Sequence, residues 1–289
     1  MAREPSANQV DAPLRSKGKP MARSIDHIVV VVDDLAGAIA DYERAGFTVT
    51  PGGTHAGGAT HNALIPFADG TYFELVAFTN PQRPQEHRWW PRLQRGEGLV
   101  DFALASDGLA AEADALRRHG IDIGAPTDGG RIRTDGQRVS WRTLGLGQAL
   151  GRPALPFLIE DATPRALRVP GGPAARHALA VDRVAGLSIV VSDLDGASET
   201  FDQLLGQQER TRSAAGAPGG RVVRYELGRQ WLELNQPDDP SSDAGRQLQA
   251  RGEGPYEVVL SSGGSTASDG TLLPLDATHG ARIRIPKSS

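Results

Sequence analysis

The chain has 289 residues, 39% of them apolar and 23% charged, with a formal net charge of −4. That composition excludes a wholly disordered chain, and the length suits one large or two small domains, either able to bury a core. There is no basic field for nucleic acid, no cysteine for a disulfide, thiolate metal site or nucleophile, and no apolar run near the ~20 residues of a membrane span.

Residues 1–22 carry Arg3, Arg15, Lys17 and Lys19 among Pro, Ser and Asn with no apolar stretch behind them. They read as a disordered tail, not a secretory signal, and point to a cytoplasmic protein. Ile25 to Val32 is a β-branched strand ending at the helix-start signal Asp33-Asp34. Ala36 to Ala45 is a short amphipathic helix closed by Gly46. Phe47 to Thr50 is a short strand ending at Pro51-Gly52-Gly53, and the strands Thr60–Phe67 and Thr71–Phe78 are joined by a tight hairpin at Ala68-Asp69-Gly70. The predicted unit is β-α-β-β-β. A second unit begins at Leu99–Ala105, continues as a helix over Leu109–His119, and has strand candidates at Arg138–Leu144 and Ala154–Ile159. Residues 163–182, rich in Pro, Arg, Ala and Gly, read as a linker. A third unit covers 184–236. The fourth starts at Tyr256–Ser261, meets Gly263-Gly264-Ser265-Thr266 where a helix should be, and ends in a strand at Ala281–Ile285.

Internal repeats explain this order. RGEG occurs at 95–98 and at 251–254. The segment 29–47 resembles 188–206, and the same offset lays TYFELVAF (71–78) over QWLELNQP (230–237), so that Glu74 falls on Glu233. The chain therefore reads as a duplication: 23–162 as one two-unit domain and 183–289 as a second. A lone unit leaves one face of a curved sheet open. Two facing units enclose a cleft on which inward strand residues can converge.

Ile25-Asp26-His27-Ile28-Val29, Gly58-Ala59-Thr60-His61-Asn62-Ala63-Leu64 and Tyr72-Phe73-Glu74-Leu75-Val76 resemble the glyoxalase-like proteins of the vicinal oxygen chelate superfamily. The resemblance implies an α+β fold of tandem β-α-β-β-β modules forming paired, incompletely closed barrels. It also implies one divalent metal ion (Fe, Mn, Ni, Zn or Co) on inward residues of the first and fourth strands, which by position are His27 and Glu74. Imidazole and carboxylate suit such an ion, and it acts as a Lewis acid on neighbouring substrate oxygens.

The partner unit supplies less. Asp101 aligns with His27 and is the third candidate, with Leu158 near the Glu74 position. If the first unit pairs instead with the fourth, Glu257 takes that place. Gly186 sits over His27 in the second half, which marks 183–289 as a degenerate copy although Glu233 keeps the carboxylate. On the predicted hairpin Glu74 faces about Ile65, so His61 lies four residues off, roughly 13 Å along the strand. It reads as a cleft residue that moves a proton. His55, in the Gly-rich stretch 52–58, reads as a lid or solvent histidine.

The expected function is a metal-dependent glyoxalase-like enzyme, acting as isomerase, lyase or dioxygenase on a small oxygenated substrate. The alternative is a metal-free protein that sequesters a small molecule, for which the cleft should be apolar and aromatic with Glu74 paired to an arginine. A small-molecule substrate or ligand is the expected partner, without nucleic acid or membrane, and a homodimer is left open.

Overall fold

The computed structural model describes residues 23–118, 123–149, 152, 154–206, 209–213, 220–262 and 270–285. The predicted tail at 1–22 and the Gly263–Thr266 stretch lie outside the described residues. The first module runs β1 (Ile25–Val31), α1 (Leu35–Arg44), β2 (Thr50–His55), β3 (Thr60–Pro66) and β4 (Tyr72–Phe78). Asp34 caps α1, its carboxylate accepting from the Ala36 amide at 3.0 Å. Gly70, at φ 87°, makes the hairpin between β3 and β4. The short helix α2 (Trp90–Leu93) leads to the second module: β5 (Gly98–Ala105), α3 (Leu109–Arg118), β6 (Thr127–Ile132), β7 (Arg138–Gly145), α4 (Leu146–Ala149) and β8 (Phe157–Asp161).

These eight strands close into a barrel in the order β1-β4-β3-β2-β6-β7-β8-β5. The first module therefore pairs with the second. Two seams join them: β1 runs antiparallel to β5, and β2 meets β6 through Thr54–Ile132 and His55–Arg131. The expected strand Phe47–Thr50 is displaced: β2 begins at Thr50 and runs through Pro51-Gly52-Gly53, where the sequence points to a turn, and β6 is not signalled at all. Both are glycine-rich because neighbouring atoms leave no room for side chains. A Cβ on Gly53 would lie 1.9 Å from the Ile132 carbonyl, and one on Gly129 would lie 2.4 Å from the Trp141 indole nitrogen.

After β8 come α5 (Arg165–Arg168) and a 3₁₀ turn at Gly172–Ala175, within the predicted linker. The second half contains β9 (Arg183–Val190), α6 (Leu194–Leu205), β10 (Arg210–Ser213), β11 (Gly220–Leu227), β12 (Gln230–Pro237), α7 (Asp243–Arg251), β13 (Gly254–Ser261), β14 (Thr271–Leu272) and β15 (Arg282–Ile285). It forms an open seven-stranded sheet in the order β10-β11-β12-β9-β13-β15-β14. Its ladder repeats the first: His27 faces Tyr72 in β1–β4, and Gly186 faces Trp231 in β9–β12, each residue displaced by the same interval. One apolar core runs through both halves, with Ile28, Val30 and Phe73 in the same cluster as Leu187, Ile189 and Leu232.

The duplicated RGEG segments bind each other. Arg251 donates to the carbonyl of Gly96 at 2.7 Å, and Arg95 donates to that of Arg251 at 3.2 Å. Glu97 accepts from the Asp33 amide, as Glu253 does from that of Ser192. Among the described residues no helix is long and apolar enough to cross a membrane.

Candidate active site

Strand alternation places His27, Val29 and Val31 of β1, with Tyr72, Glu74, Val76 and Phe78 of β4, on the inner face of the closed barrel. Ile28, Val30, Phe73 and Leu75 point outward into the shared core. Inside the barrel is a cavity of about 390 Å³. Tyr72, Trp89, Trp141 and Phe157 give it aromatic walls, while His27, His55, Glu74 and Arg131 line it with ionisable groups.

His27 is almost fully buried. Its Nδ1 lies 2.7 Å from Asp26 Oδ1 and its Nε2 lies 3.4 Å from Glu74 Oε2. Its ring stacks on Tyr72 with centroids 4.5 Å apart. Neighbours on a flat strand point to opposite faces, yet Asp26 and His27 touch, because the ladder to β5 shifts register between Ile25 and His27. Glu74 Oε1 accepts a hydrogen bond from Asn62 Nδ2 at 2.6 Å and lies 3.1 Å from His55 Nε2. The His55 Nδ1 is held in turn at 2.8 Å from Thr60 Oγ1.

Burial alone would push the Glu74 carboxyl up, but the hydrogen bonds and charge of His27 and His55 hold it well below the usual carboxylate range. Burial opposes charge on His27 too, and its bonds to Asp26 and Glu74 overcome that and raise it. Asp26 is also kept low against its burial, chiefly by the charge of Arg168. Arg168, 1% exposed, donates to both Asp26 oxygens at 2.9 and 3.0 Å and to the Tyr72 hydroxyl at 2.8 Å. It also pairs with Asp161. His87 is pushed down to about 4 by burial and by Arg88, and its Nδ1 accepts from the Trp89 amide.

Of the residues singled out in the sequence, His27 and Glu74 are brought together. Asp101 is not with them: it accepts from Trp89 Nε1 at 2.8 Å and pairs with Arg88 at 3.1 Å, tethering two residues of the cavity wall. Glu257 lies in the second sheet, paired with Arg284. His61 is also apart. Leu64, not Ile65, faces Glu74, and this one-residue difference in register reverses every face of β3. Thr60 and Asn62 thus share the Glu74 side, His61 stands on the other, and His55 takes the place beside Glu74. The counterpart of Glu74 in the second module is Phe157, since Val29 faces Glu74 and Ala103 faces Phe157. Asp26 and Arg168 carried no usable sequence signal: one is masked by its neighbour His27, the other lies in the predicted linker.

The donor chemistry of the first module fits a divalent metal. His27 Nε2 and a Glu74 oxygen face each other, and the Asp26 carboxylate holds the far nitrogen, as outer partners of metal-bound histidines do. Among the described residues no group of three or more His, Asp or Glu surrounds a common point. His55 and His27 flank opposite oxygens of Glu74, and Phe157 occupies the mirrored position. His27 and Glu74 would therefore supply only two protein donors to such an ion.

No curated protein matches the sequence. Among solved structures, a hypothetical protein from Staphylococcus aureus is similar over 91% of this chain and 98% of its own, with TM-score 0.66 and 12% identity. A triple mutant of 4-hydroxymandelate synthase from Streptomyces coelicolor is similar over 82% of this chain and 70% of its own, with TM-score 0.54 and 14% identity. A xylose isomerase-like TIM barrel/4-hydroxyphenylpyruvate dioxygenase fusion protein is similar over 86% of this chain and 38% of its own, with TM-score 0.50 and 16% identity. The profile of the glyoxalase-like domain matches residues 25–205. With that match over more than half its length and a closed barrel of two β-α-β-β-β modules, the chain belongs to the glyoxalase-like family of the vicinal oxygen chelate superfamily.

Proposed function

We propose that the chain is a metal-dependent enzyme that transforms a small oxygenated substrate inside the first barrel, with His27 and Glu74 holding one divalent ion. One observation carries this reading: the buried Glu74 carboxylate is met by two imidazoles and an amide and by no guanidinium. A purely structural carboxylate in a metal-free sequestering protein calls for an arginine partner, and Arg88 and Arg168 are instead committed to Asp101, Asp26 and Asp161.

When bound, the ion supplies a Lewis acid to two neighbouring substrate oxygens. The chain's own residues do the rest. Asp26, clamped by Arg168, fixes the His27 ring and directs Nε2 into the cavity. His55, oriented by Thr60, accepts or returns a proton at Nε2 beside Glu74. Tyr72, Trp89, Trp141 and Phe157 exclude water around these groups.

Metal analysis of protein purified without chelator tests the reading. The expected result is one divalent ion per chain in the wild type and its loss in His27→Ala and Glu74→Ala. Wild-type protein with only trace metal, or variants that keep the same content, would sink it.

A further inference from the structure

The cavity holds a cation that forms no ion pair among the described residues. Arg131, on β6, stands opposite His55 across the seam between the modules and is 4% exposed. Its Nη2 donates to the Arg168 carbonyl at 2.7 Å, and its guanidinium lies 6.0 Å from the centre of the Trp141 ring. Its buried Nε–H has no acceptor, and among the described residues Arg131 forms no ion pair. The other two arginines of the wall are each satisfied, Arg88 by Asp101 and Arg168 by Asp26 and Asp161. Glu74 acts on it only through space, since both its oxygens are engaged by His27, His55 and Asn62.

A buried guanidinium without a counter-charge is costly unless a ligand supplies one. We infer that Arg131 is the anchor for a carboxylate group on the substrate, held beside the Trp141 ring in the cavity that His27 and Glu74 also line. This rests on the proposed function of the same cavity and narrows its substrates to small organic monoanions. The planar fork of one guanidinium matches one carboxylate. Glu74, Glu86 and Asp128 around the wall disfavour a dianion such as phosphate.

The test compares benzoate with benzamide and phenylacetate with phenylacetamide, with inorganic phosphate as a further arm. Binding is read by calorimetry and by quenching of tryptophan fluorescence, on protein as purified and after chelation. At least one carboxylate should bind the wild type about tenfold or more tightly than its amide, the range of one charge-assisted contact. That preference should vanish in Arg131→Met and return in part in Arg131→Lys, with circular dichroism confirming that each variant is folded. It should persist in Glu74→Gln and after chelation, so that loss of the metal reading and loss of the anchor are seen separately. The inference is overturned if the amides bind as well as the acids, if no probe binds, if Arg131→Met keeps the preference, if Glu74→Gln or chelation abolishes it, or if phosphate binds more tightly than both carboxylates.

Discussion

Phe157 stands where the barrel's internal symmetry would put a second Glu74, and its ring meets the His27 imidazole edge-on with centroids 5.3 Å apart. In this fold two modules can each offer a wall to one ion. Here the second wall is a hydrocarbon. Phe157→Glu would add the missing carboxylate, and the variant should retain a divalent ion through a dialysis against chelator that strips the wild type. Equal metal loss from both proteins would show that the wall does not limit binding.

The Asp26–His27 contact makes a separate prediction. Asp26→Asn keeps the shape and removes the charge that orients the ring, so metal affinity should fall about 10- to 100-fold, as for other outer partners of metal-bound histidines. Competition with a chromophoric chelator measures it. Unchanged affinity would leave Asp26 with a structural role only.

Arg168 is 1% exposed and neutralises Asp26 and Asp161 together. Its removal strands buried charge, and Arg168→Met should cost about 3–5 kcal/mol of stability in urea unfolding. The double variant Asp26→Asn, Arg168→Met should lose less than the sum of the two single changes, because the charge left stranded at Asp26 is gone. Strict additivity would contradict a coupled network.

His87 and His177 are both held neutral. Burial, with help from Arg88, lowers His87 to about 4, and burial lowers His177 against the effect of its bond to the Pro66 carbonyl. As acid is added, the unfolded chain takes up these protons first, near the ordinary histidine value of 6.5. Stability from both groups is therefore full above that value; the His87 contribution is lost as pH falls toward 4, and the His177 contribution is lost as pH falls below 6.5. His27 has the opposite sign, since its raised value adds stability in acid. The midpoint of thermal unfolding should drop less between pH 7 and pH 5 in His87→Gln than in the wild type. Parallel profiles would remove His87 from the acid response.

Gly186 replaces His27 in the second half because Trp231 lies against its backbone: a Cβ there would be 2.1 Å from the indole. Gly186→Ala should cost about 1–3 kcal/mol from overpacking, measured by denaturant unfolding. A wild-type midpoint would show that the indole yields freely.

The strands that carry His27 and Glu74 are legible because each is an apolar run broken by polar residues, Asp26 and His27 in one and Glu74 in the other, and the cost of burying such residues marks each strand. His55 and Arg131 are illegible for the opposite reason. They sit on strands whose glycines, Gly52 and Gly53 in one and Gly129 and Gly130 in the other, look like turn residues. In the fold these glycines are sheet positions where a neighbour presses in: a Cβ on Gly52 would lie 2.0 Å from the Asn62 oxygen. Periodicity cannot separate a glycine needed for a bend from one needed for close approach. His61 stands on the other face from that expected, because the turn at Ala68-Asp69-Gly70 sets Leu64 rather than Ile65 opposite Glu74, and one step of register reverses every side chain.

The second half packs against the first and holds β1 in place. Gln230 accepts from the Ile25 amide, two residues before His27, and the Tyr42 hydroxyl donates to the Thr278 carbonyl. The two RGEG turns grip each other's backbones. The second half is thus a splint, so substitutions at Gln230 or Arg251 will be felt as errors of alignment in a site they never touch.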